Sequence, residues 1–149
     1  MNAYETINDV LVHLFNEILD LEEKAIITEE FKDISNNDMH IIEAIGLGED
    51  STMSLIARKL GITAGALTTS MNALVKKHYV VRNRSEIDRR VVYISLTEKG
   101  RKAYAHHKQF HTQMADAAIA GMTEEEVRVL AKTLDHLSVF FRSYKEVDS

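Results

Sequence analysis

Apolar residues recur at intervals of three and four positions along most of the chain, which is the spacing of an amphipathic α-helix. The spacing predicts six helices, over residues 5–27, 36–46, 53–60, 64–77, 98–120 and 124–145. Ser35, Thr63 and Thr97 each stand where an N-cap side chain would accept a hydrogen bond from the helix that follows. Thr123 and Glu126 have the spacing of a capping box before the last helix. The chain is therefore expected to be mainly α-helical.

A different spacing marks the region between the fourth and fifth predicted helices. Residues 79–82 and 91–96 are rich in β-branched and aromatic side chains, which favour strands. The polar segment 83–90 lies between them, so the two strands are expected to form a β-hairpin with a charged tip. At 149 residues, of which 45% are hydrophobic and 28% charged, the whole chain fits a single globular domain of residues 1–149.

Two consecutive helices, 53–60 and 64–77, are joined by a glycine-containing turn and predict a helix-turn-helix. On the second helix Leu67, Met71 and Leu74 fall within about 40° of one another at 100° per residue, which predicts a buried face. The opposite face carries small and hydrogen-bonding side chains and one cation, suited to base edges and phosphates in a major groove. The predicted DNA-facing residues of this segment are Thr63, Gly65, Thr68, Thr69, Asn72 and Lys76. The alternative is an ordinary amphipathic helix with a polar solvent face.

Charge is distributed unevenly along the chain, whose formal net charge is −5. Residues 52–101 hold ten basic and three acidic side chains, a net charge of +7, and no Asp or Glu occurs between residues 52 and 85. An ordinary solvated face mixes both signs, whereas a basic middle in an acidic chain is typical of a segment that contacts phosphate. The charge pattern therefore favours DNA over the solvent-face alternative.

The predicted hairpin adds a second cluster of cations at or near its tip. These residues are Arg82, Arg84, Arg89 and Arg90. A thin β-ribbon can place an arginine in the minor groove, where a narrow groove concentrates negative potential. Asp88 is expected to orient the Arg90 guanidinium rather than to contact DNA. The alternative is that the four arginines only keep an exposed hairpin soluble.

Several segments together resemble the MarR family of winged-helix repressors, and the resemblance runs along the whole chain. The segments are residues 54–63 and 74–77, Asp88-Arg89-Arg90, and Leu96-Thr97-Glu98-Lys99-Gly100-Arg101. The resemblance implies residues 63–76 as the recognition helix, Arg90 as the wing arginine and residues 36–101 as the winged-helix DNA-binding part. His78 stands where the family usually has the glycine that ends the recognition helix, which predicts a differently shaped helix end.

The first and last predicted helices carry long apolar stripes at opposite ends of the chain. A small DNA-binding unit does not need both to cover its core, so residues 1–35 and 102–149 are expected to form dimerisation helices. The predicted fold is thus a winged helix-turn-helix with long N- and C-terminal dimerisation helices. A two-fold homodimer would place its recognition helices on successive major grooves of a pseudo-palindromic operator in double-stranded DNA. The alternative is that both stripes complete the core of a monomer.

The effector has two candidates, and the first is an acyl chain. Residues 31–35, 39–42, 84–86 and 107–111 are similar to the fatty-acid-synthesis repressors of streptococci and related Gram-positive bacteria. That similarity implies long-chain acyl-acyl carrier protein as co-repressor. An apolar crevice between the first, second and fifth helices could hold the chain. Its expected lining is Leu14, Ile18, Met39, Ile42 and Met114, and plain core packing is the alternative role of these residues.

The second candidate effector is a zinc ion, and the sequence indicates no other cofactor. His107 and His111 lie four residues apart on one predicted helix, so both rings can reach one ion. Glu22 and His40 lie on the helices expected to neighbour them. Zinc-responsive members of the MarR family are similar, with a glutamate on the first helix, a histidine on the second and a histidine pair on the fifth. The alternative is a structural histidine cluster.

The sequence also excludes several classes of protein. It contains no Cys, so a thiol nucleophile, a disulfide, a cysteine zinc site and a thiol redox switch are all excluded. Because no Gly-rich phosphate loop, Gly-x-Ser-x-Gly or His-Glu-x-x-His pattern occurs, no enzyme is expected. No apolar run reaches 18 residues, and Glu5, Asp9 and Glu17 stand where a signal peptide would be basic. We therefore expect no membrane partner and a cytoplasmic location.

Overall fold

The structure, a computed structural model, describes residues 1–26, 28 and 30–147, with side chains described through Tyr144. Ile27 and Glu29, predicted at the end of the first helix and in the connection after it, lie outside the described residues, as do the last two residues of the chain. The chain divides into two compact units, Met1–Phe110 and His111–Ser149.

The described residues form six helices and three short strands, which confirms the prediction of a mainly α-helical fold with a small β-hairpin. The first helix, α1, consists of Ala3–Asp9, the π-helical segment Val10–Leu14, and Phe15–Ile26. The other helices are α2 (Asn36–Ile45), α3 (Met53–Leu60), α4 (Ala64–Lys76), α5 (Glu98–Ile119) and α6 (Glu124–Val147). The strands are β1 (Ser51–Thr52), β2 (Val80–Arg84) and β3 (Val92–Leu96). The π-helical segment and β1 were not predicted.

The predicted helix caps are present. The predicted cap residues are Ser35, Thr63, Thr97 and Thr123. In each of them the side-chain oxygen accepts a hydrogen bond of 3.0–3.2 Å from the backbone N–H three residues later. Asp38 and Glu126 accept in return from the backbone N–H groups of Ser35 and Thr123, which completes two capping boxes. These bonds satisfy N–H groups that the first turn of a helix leaves without an intrahelical partner.

The core of the first unit lies between the helix-turn-helix, α2 and the small sheet. Leu67, Met71 and Leu74 of α4 are completely buried, which confirms the predicted inner face of that helix. They belong to one hydrophobic cluster with Ile42 of α2 and Ile94 of β3. This cluster fixes α4 by one face and leaves its other face outside.

The sheet is antiparallel, with strand order β1-β3-β2. Strands β2 and β3 pair in a register that sets Val80 opposite Leu96 and Arg82 opposite Ile94. The backbone N–H of Ser85 donates to the carbonyl of Val91 at 2.9 Å and closes the connecting loop. The β2–β3 hairpin is the predicted charged ribbon, which we call the wing.

The long helices expose much apolar surface. No residue of the segments Ala3–Asp9 and Val10–Leu14 is buried, and none of the described side chains of α6 is buried. In α6, Phe140 contacts Phe141 and Tyr144 with ring centroids 5.5 and 5.9 Å apart, and all three side chains are exposed. Among the described residues, no helix is both long and apolar enough to cross a membrane.

Candidate nucleic-acid interface

The helix-turn-helix is formed by α3, α4 and the tight connection between them. Gly61 ends α3 in the left-handed conformation, with φ 65° and ψ 36°, and Ile62 N–H donates back to the carbonyl of Ala57 at 3.1 Å. A glycine suits this position because it has no Cβ to clash at positive φ. Thr63 then caps α4, so the second helix begins at Ala64, three residues after Gly61.

The outer face of α4 is open to solvent along its length. All six residues predicted to face DNA on this segment are exposed: Thr63, Gly65, Thr68, Thr69, Asn72 and Lys76. No atom lies within 4 Å of where a Cβ would stand on Gly65, so a nucleic acid can approach the backbone closely there.

The hydroxyl groups on this face have fixed roles. Thr68 Oγ1 donates to the carbonyl of Ala64 at 2.8 Å, and Thr69 Oγ1 donates to the carbonyl of Gly65 at 3.3 Å. Because each hydroxyl proton is used inside the helix, the outward side of each threonine offers a methyl group and acceptor lone pairs. In this conformation neither threonine hydroxyl donates a hydrogen bond outward to a phosphate or a base.

The tip of the wing holds one arginine in a defined orientation. The two carboxylate oxygens of Asp88 accept from Nε and Nη2 of Arg90, each at 3.1 Å, and the expected contact between these residues is therefore present. Hydrogen bonds from the Arg90 side chain hold the pKa of the Asp88 carboxyl below its ordinary value. The Arg90 side chain is 91% exposed, so this ion pair orients the guanidinium but adds little to stability.

The other wing arginines are also exposed. Arg84 and Arg89 face solvent, and Arg82 Nη2 donates to Oδ1 of Asn72 on α4. This last contact joins the wing to the outer face of α4, the helix predicted to be the recognition helix, and no sequence pattern predicts the contact.

Two cations of the basic segment point into the protein instead. Lys77 Nζ contacts Oδ2 of Asp38, which is buried, at 2.9 Å. Lys99 Nζ lies 3.8 Å from Oδ2 of Asp33 and 4.3 Å from the centre of the Tyr79 ring. The outward charge of the segment is therefore smaller than its formal +7.

Tyr79 is completely buried directly after the recognition helix. Its hydroxyl donates to Oδ1 of Asp33 at 2.7 Å, and this bond holds the pKa of Asp33 below its ordinary value. Burial, followed by the same bond, raises the pKa of Tyr79. The pair anchors the end of the recognition helix to the connection that precedes α2.

The start of α5 is bonded to the same point. Thr97 N–H donates to the carbonyl of Tyr79 at 3.0 Å, and Thr97 Oγ1 donates to the carbonyl of His78 at 2.6 Å. Gly100 packs so closely that a Cβ on it would lie 2.1 Å from the carbonyl oxygen of Tyr79. The Leu-Thr-Glu-Lys-Gly segment thus holds the recognition helix, the wing and α5 in one fixed relation.

The recognition helix ends with a Schellman motif whose left-handed residue is His78, at φ 70°. His78 N–H donates to the carbonyl of Val75, and Tyr79 N–H donates to that of Leu74, both at 3.0 Å. The expectation that histidine would give this helix end a different shape is wrong. Histidine takes the conformation of glycine here because the buried Tyr79 and the bonds from Thr97 to the carbonyls of His78 and Tyr79 hold the chain that follows it.

We expect His78→Gly to raise the free energy of unfolding by about 1 kcal/mol, because glycine has no Cβ penalty in the left-handed region. Urea unfolding followed by circular dichroism measures the change. Lys76→Gly is the matched control, since Lys76 is exposed in the right-handed last turn of the same helix and glycine should destabilise it by up to about 1 kcal/mol. A lower stability for His78→Gly would contradict the strain argument.

The residues predicted to line an acyl crevice are not equally accessible. Met39 and Ile42 are buried in the hydrophobic core, while Leu14 is exposed and Ile18 half-buried. Met114 is half-buried in the second unit. In the first unit a crevice too narrow to admit a water molecule is lined instead by Glu22, Ala25, Ile26, His106, His107 and Phe110. A long acyl chain would therefore have to widen it.

The predicted zinc ligands are only partly brought together. His107 is buried, and its Nε2 lies 3.5 Å from Oε1 of Glu22 and 3.3 Å from Oε1 of Glu43. His111 follows one turn later on α5. His40 is exposed and is not among the described residues grouped around His107. Glu43, which the sequence interpretation missed, lies three residues after His40 on α2 and supplies the second carboxylate.

Comparison with known proteins identifies relatives over most of the chain. The profile of the SarA/Rot transcriptional regulators matches residues 22–106. The crystal structure of Streptococcus pneumoniae FabT in complex with DNA is 44% identical, with a TM-score of 0.83 over 95% of this chain and 99% of that one. The uncharacterized HTH-type regulator YpoP of Bacillus subtilis is 28% identical over 82% of this chain and 79% of its own length. The S. aureus MepR–DNA complex, at 22% identity and a TM-score of 0.64 over 86% and 96% of the two chains, shares the fold.

Proposed function

We propose that this chain, which belongs to the SarA/Rot family of MarR-like winged-helix transcriptional regulators, is a repressor of fatty-acid-synthesis genes. It would bind pseudo-palindromic operators as a homodimer. The chain is a DNA-binding transcriptional regulator and not an enzyme. The main support for this proposal is that the exposed polar face of α4 lies beside the arginine-rich wing. The chain also has 44% sequence identity to a streptococcal protein whose crystal structure was solved in complex with DNA. The protein would act on DNA in the cytoplasm.

In this proposal α4 lies in the major groove and the wing in the neighbouring minor groove. Thr68, Thr69 and Asn72 face base edges, while Thr63, Gly65 and Lys76 lie against the backbone. Arg90, held by Asp88, enters the minor groove, where the guanidinium meets concentrated negative potential. Arg82, Arg84 and Arg89 add contacts with phosphate or base edges.

The homodimer is supported by the apolar surface that α1 and α6 expose. Ile7 and Leu11 are exposed on α1, and Phe140, Phe141 and Tyr144, which contact one another, are exposed on α6. On each helix taken by itself, such exposed apolar side chains mark an interaction surface. We expect light scattering to give twice the chain mass of 16.9 kDa at micromolar concentration. A monomeric mass would contradict the dimer and with it the pseudo-palindromic operator.

Long-chain acyl-acyl carrier protein is the proposed co-repressor. Its support is the similarity of residues 31–35, 39–42, 84–86 and 107–111 to the streptococcal fatty-acid-synthesis repressors. The crevice beside His106, His107 and Phe110 would widen to take the acyl chain and so favour one DNA-binding conformation. We expect acyl-acyl carrier protein to tighten binding to the chain's own promoter duplex by roughly tenfold. Carrier protein without an acyl chain is the control, and equal effects of both would contradict the proposal.

A zinc-responsive regulator of metal uptake genes is the second candidate function, favoured by the arrangement around His107. An imidazole nitrogen within 3.5 Å of two carboxylates is a donor set that suits zinc, and His111 offers a further ring one turn away. Isothermal titration with zinc tests it. Tight binding that is lost in His107→Ala and kept in His40→Ala would favour this function, whereas no heat of binding would exclude it.

A further inference from the structure

Asn72 and Arg82 form the contact between the two parts of the DNA-binding surface. Asn72 lies on the outer face of α4, Arg82 lies in the middle of β2 opposite Ile94, and Nη2 of Arg82 donates to Oδ1 of Asn72. Both side chains are exposed. Any base edge that meets Asn72 therefore also meets the guanidinium of Arg82.

The contact fixes which groups Asn72 offers to a base. A guanidinium has donors only, so the Asn72 amide must turn its oxygen toward Arg82 and its NH₂ group away from it. A free asparagine offers one acceptor and one donor side by side, which is the combination that pairs with N6 and N7 of adenine. Beside Arg82, however, one of the two Oδ1 lone pairs is taken by the guanidinium, and a base donor that approaches the other would meet its positive charge. The pair consequently favours base acceptors over base donors.

We propose that the Asn72–Arg82 pair selects guanine over adenine at one base pair of each operator half-site. In the major groove guanine presents two acceptors, O6 and N7, whereas adenine presents one acceptor and one donor. The inference rests on the proposed function, in which α4 lies in the major groove. Thr68 and Thr69 turn acceptors outward on the same helix, so the donor character belongs to this pair and not to the whole face.

Selection from a library of randomised DNA duplexes at fixed salt, followed by sequencing, tests the proposal. Asn72→Ala should abolish the base preference at one position of the half-site, which identifies the base pair that Asn72 contacts. At this position the wild-type protein should select guanine over adenine by roughly tenfold. Arg82→Ala frees Oδ1 of Asn72, so the preference at this position should move toward adenine. Arg82→Lys keeps a cationic donor near Oδ1 and should retain guanine.

Arg84→Ala is the matched control, because Arg84 is exposed on the same strand two residues later and therefore on the same side of β2. It should lower the recovery of bound duplexes without changing the base preferred at that position. A preference for adenine in the wild type, or a guanine preference that Arg82→Ala leaves unchanged, would overturn the inference alone. If the wild type enriches no duplex, the proposed function fails and this inference fails with it.

Discussion

Replacement of Arg90 by alanine is expected to weaken binding to the promoter duplex about tenfold to a hundredfold and to leave the fold intact. Both carboxylate oxygens of Asp88 hold the Arg90 guanidinium at the wing tip, so this side chain loses little conformational entropy when it enters a groove. The same side chain is 91% exposed in the free protein, so its removal disturbs no packing. Fluorescence anisotropy at constant salt measures the loss, and thermal unfolding checks the fold.

Two further variants separate orientation from charge. Asp88→Asn removes the anion that holds the guanidinium but keeps Arg90, so it should weaken binding by a smaller factor than Arg90→Ala. Lys102→Ala removes an exposed cation whose partner is Glu30, outside the DNA-binding surface, and should bind as the wild type does. Equal affinity of Arg90→Ala and Lys102→Ala would contradict a groove contact by the wing tip.

Gly100→Ala is expected to give the largest loss of stability, at least about 3 kcal/mol. The added Cβ would lie 2.1 Å from the carbonyl oxygen of Tyr79 and 3.2 Å from Cβ of Leu96. The carbonyl cannot move away freely, because it accepts from Thr97 N–H and lies between the end of the recognition helix and β2. Relief of the clash therefore has to displace α5 or break this junction. Urea unfolding measures the loss of stability.

Gly65→Ala is the control for this variant. Gly65 also lies within a helix, but no atom is within 4 Å of where its Cβ would stand. Alanine should therefore raise the free energy of unfolding by up to about 1 kcal/mol at this position. If Gly100→Ala stayed within 1 kcal/mol of the wild type, the described junction between Tyr79 and Gly100 would be wrong.

The helices and their caps could be predicted from sequence because both are local. The three- and four-residue spacing places Leu67, Met71 and Leu74 on one face, and a cap depends on residues only three apart. Strand β1 has two residues, too few to show an alternating pattern. The π-helical segment Val10–Leu14 keeps the helical spacing of its neighbours, so no periodicity distinguishes it.

The candidate site could be predicted in part. Exposure on α4 and the Asp88–Arg90 contact follow from positions close in sequence. The inward contacts of Lys77 and Lys99 do not, because their partners Asp38 and Asp33 lie 39 and 66 residues away and only the fold brings them together.

The interior residues illustrate the same limit. An apolar spacing cannot tell a core position from the lining of a crevice, so it leaves both roles open for Met39 and Ile42, and the structure buries both side chains in the core. Glu43 was missed for a related reason: nothing in the sequence places it beside His107, 64 residues away.

The dependence of promoter binding on salt tests most directly whether this basic surface binds the DNA backbone. We expect a dimer to contact at least six phosphates. A plot of the logarithm of the association constant against the logarithm of the KCl concentration should then be linear, with a slope of about −5. Affinity should drop by roughly a thousandfold between 50 and 200 mM. Arg84→Ala should make the slope shallower by one to two units, for one lost contact in each subunit. A flat salt dependence, or no binding to the promoter at 50 mM KCl with acyl-acyl carrier protein or zinc present, would contradict the account.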